Sequence, residues 1–454
     1  MPTTDDSPDS APRTDRPRPA EPSAAASGAT GFSPWMRRVA VVGLVLAALN
    51  LRPAISGLGP LLEEVRDGLG MNGTVAGMLT SVPPLCFAVF GGLAPRLARR
   101  RGPAAVVLAG TAAITLGLVL RPFAGGTAAF LAATALALAG IAVSNVLMPV
   151  IVKQWFPGRV GTMTGLYSMA LALGTAGAAA VTVPLTDALG GSWRVGIGAW
   201  AVLGAVALVP WVLIFRSPAT RPGQAAPGRP DQRPDQGQDQ PQDPRASGGA
   251  EGPAGGAADA APLRITKSPT AWALGIFFGL QASGAYIVMG WLPQIFRDSG
   301  VSASSAGLML AVTMGMGIPL SFVLPKLAAR MRHQGPLVLA LGGCGLLGYA
   351  GLYVAPHSGA WLWAVVLGVS NCAFPLALTM IGMRSRSSAG VVKLSAFAQS
   401  TGYLLSIPGP LLVGALHDAS GGWRVPLLLM AGLMLAQIAM GMLAGRDRVI
   451  EDGR

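Results

Sequence analysis

Apolar residues run along this chain in blocks of about twenty, without the three-and-four rhythm of a surface helix. Such blocks match the length of a helix across a lipid bilayer. The first half predicts helices over Met36–Pro60, Gly73–Pro95, Pro103–Arg121, Thr127–Lys153, Val160–Leu185 and Arg194–Phe215. The second half predicts Pro269–Ile295, Ser302–Pro325, Pro336–Val354, Gly359–Met383, Val391–Leu416 and Arg424–Ala444. The expected fold class is an all-α membrane protein of twelve transmembrane helices in two six-helix bundles. The domain reading is a tail at 1–35, a bundle at 36–216, a linker at 217–267, a bundle at 268–446 and a tail at 447–454.

The halves repeat each other. Ala76–Arg100, AGMLTSVPPLCFAVFGGLAPRLARR, aligns with Ala306–Arg330, AGLMLAVTMGMGIPLSFVLPKLAAR, so that residue 306 stands opposite residue 76. VSNVLMP at 143–149 aligns with VSNCAFP at 369–375, and Trp193 with Trp423. Matched signals fall on the same side of the membrane, as in parallel repeats of six helices. That is the layout of the two halves of the major facilitator transporters, with a substrate site near the midplane between them. The linker is rich in Pro, Gly, Gln and Asp, and it cannot bury enough apolar surface to fold. The N-terminal tail is polar and reads as disordered, not as a signal peptide.

Composition agrees with the pattern. Of the 454 residues 52% are hydrophobic and 12% charged, about half the charge of a soluble domain. The net charge of +13 belongs to loops, not to a nucleic-acid surface. With the N-terminus inside, one set of loops and helix ends holds Arg96, Arg99, Arg100, Arg101, Lys153, Arg159, Lys326, Arg330, Arg332, Arg384, Arg386 and Lys393 with no acidic residue. The opposite set mixes Arg66, Arg121, Arg194, Arg297 and Arg424 with Glu63, Glu64, Asp67, Asp187, Asp298 and Asp418. The positive-inside rule therefore places both termini in the cytoplasm, and the expected location is the cell membrane. The three cysteines stand singly and read as small buried hydrophobes.

One charge breaks the pattern. Arg52 follows Asn50 and precedes Pro53, about 24 Å along the first helix from Met36 and past the middle of a roughly 30 Å core. A charge at that depth costs about 3 kcal/mol or more and usually faces a cavity. The acidic residues and the histidines all fall in tails, linker, loops or helix ends. A guanidinium with no fixed carboxylate suits an anionic or acceptor-rich ligand. The alternatives are bonds to carbonyls freed near Pro53, or a reach outward to Glu63 or Glu64.

Polar residues at similar depth give the rest of the candidate substrate site: Asn50, Asn145, Gln281, Tyr286, Asn371, Gln399 and Tyr403. Each also reads as an ordinary interhelical hydrogen bond. Trp291 and Pro293 read as an interfacial anchor and a helix-end feature. The repeated basic loops supply candidate gating residues Arg96, Arg99, Arg100, Lys326 and Arg330, which equally serve orientation. The glycine-rich fifth helix allows close packing.

The segments NLRPAISGLGPLL, GMLTSVPPLCFAVFGGLAPRLARRRG, SNVLMPVIVKQWFP and FFGLQASGAYIVMGWLPQI resemble the cyanate permease/2-nitroimidazole transporter group (CynX/NimT-like) of the major facilitator superfamily. The resemblance spans both bundles and leaves out the tails and the linker. It implies a permease for a small anionic or polar heteroaromatic compound, with no cofactor or metal and no enzymatic activity. The partners expected are that small molecule and the lipid bilayer, with no nucleic acid, and the protein is expected to be a monomer. The other reading is a transporter-like membrane receptor or scaffold that binds a partner through the linker.

Overall fold

The structure, a computed structural model, describes residues 33–217 and 265–453. Most of the linker and nearly all of the N-terminal tail lie outside the described residues. The described chain is helical throughout, without strands. Eleven helices are long and apolar enough to cross a membrane. We number the spans α1 (Pro34–Leu69), α2 (Gly73–Arg101), α3 (Pro103–Phe123), α4 (Thr127–Trp155), α5 (Pro157–Ala188) and α6 (Trp193–Arg216) in the first half. The second half has α7 (Pro269–Asp298), α8 (Ala303–Arg330), α9 (Gly335–Val354), α10 (Ala360–Met383) and α12 (Arg424–Ala444). Between the last two lies α11, in two pieces, Ser388–Ser406 and Pro408–Ser420. It is the twelfth span.

The first helix begins two residues earlier than expected, inside the stretch read as tail. Ser33 caps it by accepting from the Met36 N–H at 3.3 Å, with Pro34 at the first helical position. The helix is also broken, not continuous. It stops at Asn50 and restarts at Pro53, because proline has no N–H to continue the ladder. A 3-10 turn at Gly59–Leu61 then leads into the polar segment Leu62–Leu69. The other half breaks two helices besides α11, one of them at a depth matched in the first half. α8 is interrupted at Met316, opposite the π-helical turn Phe87–Gly91 of α2, and α10 is interrupted at Cys372, next to Asn371.

The halves meet where α2 packs along α11 and α5 along α8, with α7 crossing the end of α1. Close approaches concentrate on the face opposite the termini. A side chain at Gly414 would strike the Gly73 carbonyl, and one at Gly59 the Met289 carbonyl. Glycine is therefore required at both crossings. The same face carries a polar seam. Arg297 of α7 pairs with Glu63 at 2.8 Å and Glu64 at 2.9 Å of α1. Asp418 of α11 accepts from the Gly73 N–H at 2.9 Å and the Thr74 N–H at 2.8 Å, at the start of α2. Trp423 donates to Asp298 at 2.6 Å. Trp291, read as a lipid anchor, is instead fully buried under His417 and Trp423. The seam needs a large apolar plug there, which takes precedence over the interface preference of tryptophan.

On the other face the pieces diverge. The Gly92–Arg101 part of α2 packs on α3 and α4 of its own half. The last contact across the α2–α11 seam toward that side includes the Phe87–Tyr403 ring stack, centroids 5.1 Å apart. The close contacts between the halves thus lie mainly on the face opposite the termini, and the face that bears them is the less closely joined of the two.

A candidate anion site between the two halves

The break in α1 places Arg52 beside the interface. Arg52 is the residue before the Pro53 helix, and its own carbonyl accepts from the N–H groups of Ile55 and Ser56 at 2.9 and 3.0 Å. Its guanidinium lies near enough to the Tyr286 hydroxyl, which comes from α7 in the other half, for the two to interact electrostatically. Tyr167 of α5 and Tyr403 of α11 also lie close enough to feel its charge. The chain has five tyrosines, so three of the five converge on one arginine. The Tyr403 ring is held by Phe87 on one side and Phe278 on the other, at 5.1 and 5.2 Å between centroids. A fixed aromatic body carrying a polar tip suits a site that must be dry yet directional.

Both alternative uses of Arg52 go to other arginines. Glu63 and Glu64 are paired with Arg297. The carbonyl of Ala54 would accept from Leu58 in a regular helix, but the Leu58 N–H turns to Ile55 at 3.2 Å. Ala54 accepts instead from Nη1 of Arg121 at 2.8 Å. No acidic side chain of the described residues pairs with Arg52.

The other sequence candidates divide. Tyr286 and Tyr403 are brought to Arg52. Gln281 donates to the Asn371 carbonyl at 3.0 Å, so these two candidates touch each other across α7 and α10. The Asn371 amide faces the Met314 sulfur at 3.9 Å, and Gln399 donates to Ser395 within α11 at 2.7 Å. Asn50 is fully buried, and neither its amide nitrogen nor its oxygen has a hydrogen-bond partner. Asn145 is half-buried. The basic residues Arg96, Arg99, Arg100, Lys326 and Arg330 are exposed on the face that bears the termini.

Two residues escaped the sequence reading. Tyr167 sits in the small-residue run of α5, where a lone aromatic looks like packing. Arg121 reads as a loop cation after an apolar run, yet its side chain is 1% exposed. It turns inward from the end of α3, and Nε donates to Thr134 of α4 at 3.0 Å. No group of three or more His, Cys, Asp or Glu that could hold a metal occurs among the described residues.

Comparison with known proteins bears on the family and the fold. The profile of the Major Facilitator Superfamily matches residues 42–407. The transporter YycB of Bacillus subtilis (strain 168) is 33% identical over 412 residues, covering 90% of this chain and 94% of that one. The 2-nitroimidazole transporter of Escherichia coli (strain K12) is 30% identical, covering 93% and 99%. The cyanate transport protein CynX of the same organism is 29% identical, covering 86% and 94%. Among solved structures, the nucleoside transporter NupG superposes with a TM-score of 0.68 at 13% identity, covering 90% and 98% of the two chains, which supports the fold alone.

Proposed function

This chain belongs to the Major Facilitator Superfamily of membrane transporters, and on that premise we propose that it carries a small anionic or polar heteroaromatic compound by alternating access. The observation that carries the substrate class is Arg52, a guanidinium between the halves with three tyrosines around it and, among the described residues, no carboxylate pairing with it. A planar fork of donors binds oxyanions in two-point fashion, and the phenol groups can donate to the same ligand. The names of the relatives, cyanate and 2-nitroimidazole transporters, fit such a site. Both ligands are compact and rich in acceptors.

The two-sided asymmetry of the molecule supports the transport cycle. The face without termini is sealed by glycine crossings and by ion pairs between the halves, and the other face is less closely joined. The substrate would enter or leave through the less closely joined face, which the basic loops make the cytoplasmic one. Arg96, Arg99, Arg100, Lys326 and Arg330 would engage partners when that face closes. Gln281, Asn371, Asn50, Asn145 and Gln399 would be released to the ligand or would hold the helix breaks that move. The protein is taken to act as a monomer.

The test is a thermal-shift screen of small anions and heteroaromatics on purified protein, since a ligand of the folded state raises apparent stability. The ligand found is then followed into proteoliposomes. Arg52→Ala should insert and remain monodisperse, yet lose both the shift and the flux. Wild-type flux in that variant would overturn the assignment.

A further inference from the structure

The second buried arginine, Arg121, has donors to spare. Its Nε is used by Thr134 and its Nη1 by the Ala54 carbonyl, and the guanidinium lies 5.6 Å from the centre of the Phe130 ring. Its Nη2 is buried without a hydrogen-bond partner. A buried charge is stable only when its donors are satisfied, and no carboxylate serves this one. Capping one carbonyl needs one donor, so the helix break alone does not account for an arginine here.

The residue lines a cavity. Its walls include Ala54, Leu79, Thr80, Thr134, Tyr286 and Gly290, from α1, α2, α4 and α7. The space inside is small, enough for a water or two but not for a larger ligand. The cavity crosses the seam between the halves, because a side chain at Gly290 would press on Thr80. It lies under the sealed face, and Tyr286 belongs both to it and to the Arg52 site. Its polar groups are one guanidinium and three hydroxyls, and the rest of its walls are apolar.

We infer that Arg121 is a second anion station, reached from the sealed face when α1, α2 and α7 part, which takes a small monoanion of carboxylate or cyanate type before Tyr286 and Arg52 receive it. The inference rests on the transport reading above. In the closed state Nη2 waits in a space too small for the ligand. Opening the Gly290–Thr80 and Gly59–Met289 crossings widens that space from the seam side. The anion then meets a guanidinium already held in place by Thr134 and Ala54.

Two measurements test this. In oriented proteoliposomes, initial rates of radiolabelled benzoate and cyanate are taken from each face. Arg121→Gln should raise KM from the sealed face by about tenfold, the worth of one charge-assisted hydrogen bond, and leave KM from the other face within about twofold. Arg121→Lys should recover part of the loss. Equal KM values from both faces in a monodisperse Arg121→Gln protein would overturn the inference, and so would an equal rise from both, which marks a role in holding α1 only.

The second measurement needs no transport. Thr134→Cys is placed in a background lacking Cys86, Cys344 and Cys372, and anionic and cationic methanethiosulfonates are applied from the sealed face. The anionic reagent should react about tenfold faster, and Arg121→Gln should abolish the preference. A rate ratio indifferent to Arg121 would refute the station even if neither probe is a substrate. If the ratio behaves as stated but Arg52→Ala leaves benzoate and cyanate flux intact, the Arg52 site is at fault and Arg121 stands.

Discussion

Asp418 caps a helix that begins 345 residues earlier in the chain, at Gly73. Its carboxylate oxygens accept from the Gly73 and Thr74 N–H groups at 2.9 and 2.8 Å. These are orphan donors of α2, and a carboxylate there also meets the positive end of the helix. α2 also has a cap of its own, Asn72, which accepts from the Val75 N–H at 2.8 Å, so opening the seam removes only the part of the cap that the other half supplies. Asp418→Ala should weaken closure by about 1 kcal/mol, roughly fivefold in the closed-to-open ratio. Hydrogen exchange at the Gly73 and Thr74 amides would read this directly. Unchanged exchange would mean that water satisfies those amides equally well.

Arg297 joins the same seam to both Glu63 and Glu64. The pairs are partly exposed, so each is worth about 0.5 kcal/mol after screening by solvent. Arg297→Glu should open the seam and speed labelling of Thr80→Cys, a buried position that lies against Gly290 of α7 across the seam. Combining it with Glu64→Arg should restore part of the protection. Independent, additive effects of the two changes would show that no pairing energy exists.

The twelve spans were legible because apolar runs of membrane length leave few other folds, and the repeat of Ala76–Arg100 in Ala306–Arg330 fixed their grouping. Tyr286 and Tyr403 were legible as polar tips in apolar helices. Arg121 was not, because a cation after eighteen helical residues and before Pro122 has the signature of a helix end at the interface. Only the fold shows α3 turning its last side chain inward to the carbonyl that the break in α1 releases. The break itself was foreshadowed by Pro53, while its continuation through Leu69 was hidden by the prolines and glycines of 57–60. Tyr167 was missed because its partner is distant in sequence.

At the Arg52 site the geometry of the fork should matter as well as its charge. Arg52→Lys should raise the apparent Kd by about tenfold, because a point charge lacks two-point donation. Tyr286→Phe removes only the hydroxyl that lies near Arg52 and should cost about threefold to tenfold in Kd without lowering Tm. Isothermal titration with the ligand from the screen measures both. Wild-type affinity in Arg52→Lys would show that charge alone is read.

The uncompensated arginine also has an electrical consequence. No acidic side chain of the described residues pairs with Arg52, so its charge would stand uncompensated in an empty carrier, and a bound monoanion would offset that one charge. One charge moved across 100 mV is worth about 2.3 kcal/mol, so even a partial displacement couples reorientation of the empty protein to voltage. On the proposed site, exchange of one monoanion for another would move less charge than net flux, which would carry the Arg52 charge back on each return of the unloaded form. The membrane potential would set which of these two modes the protein runs in.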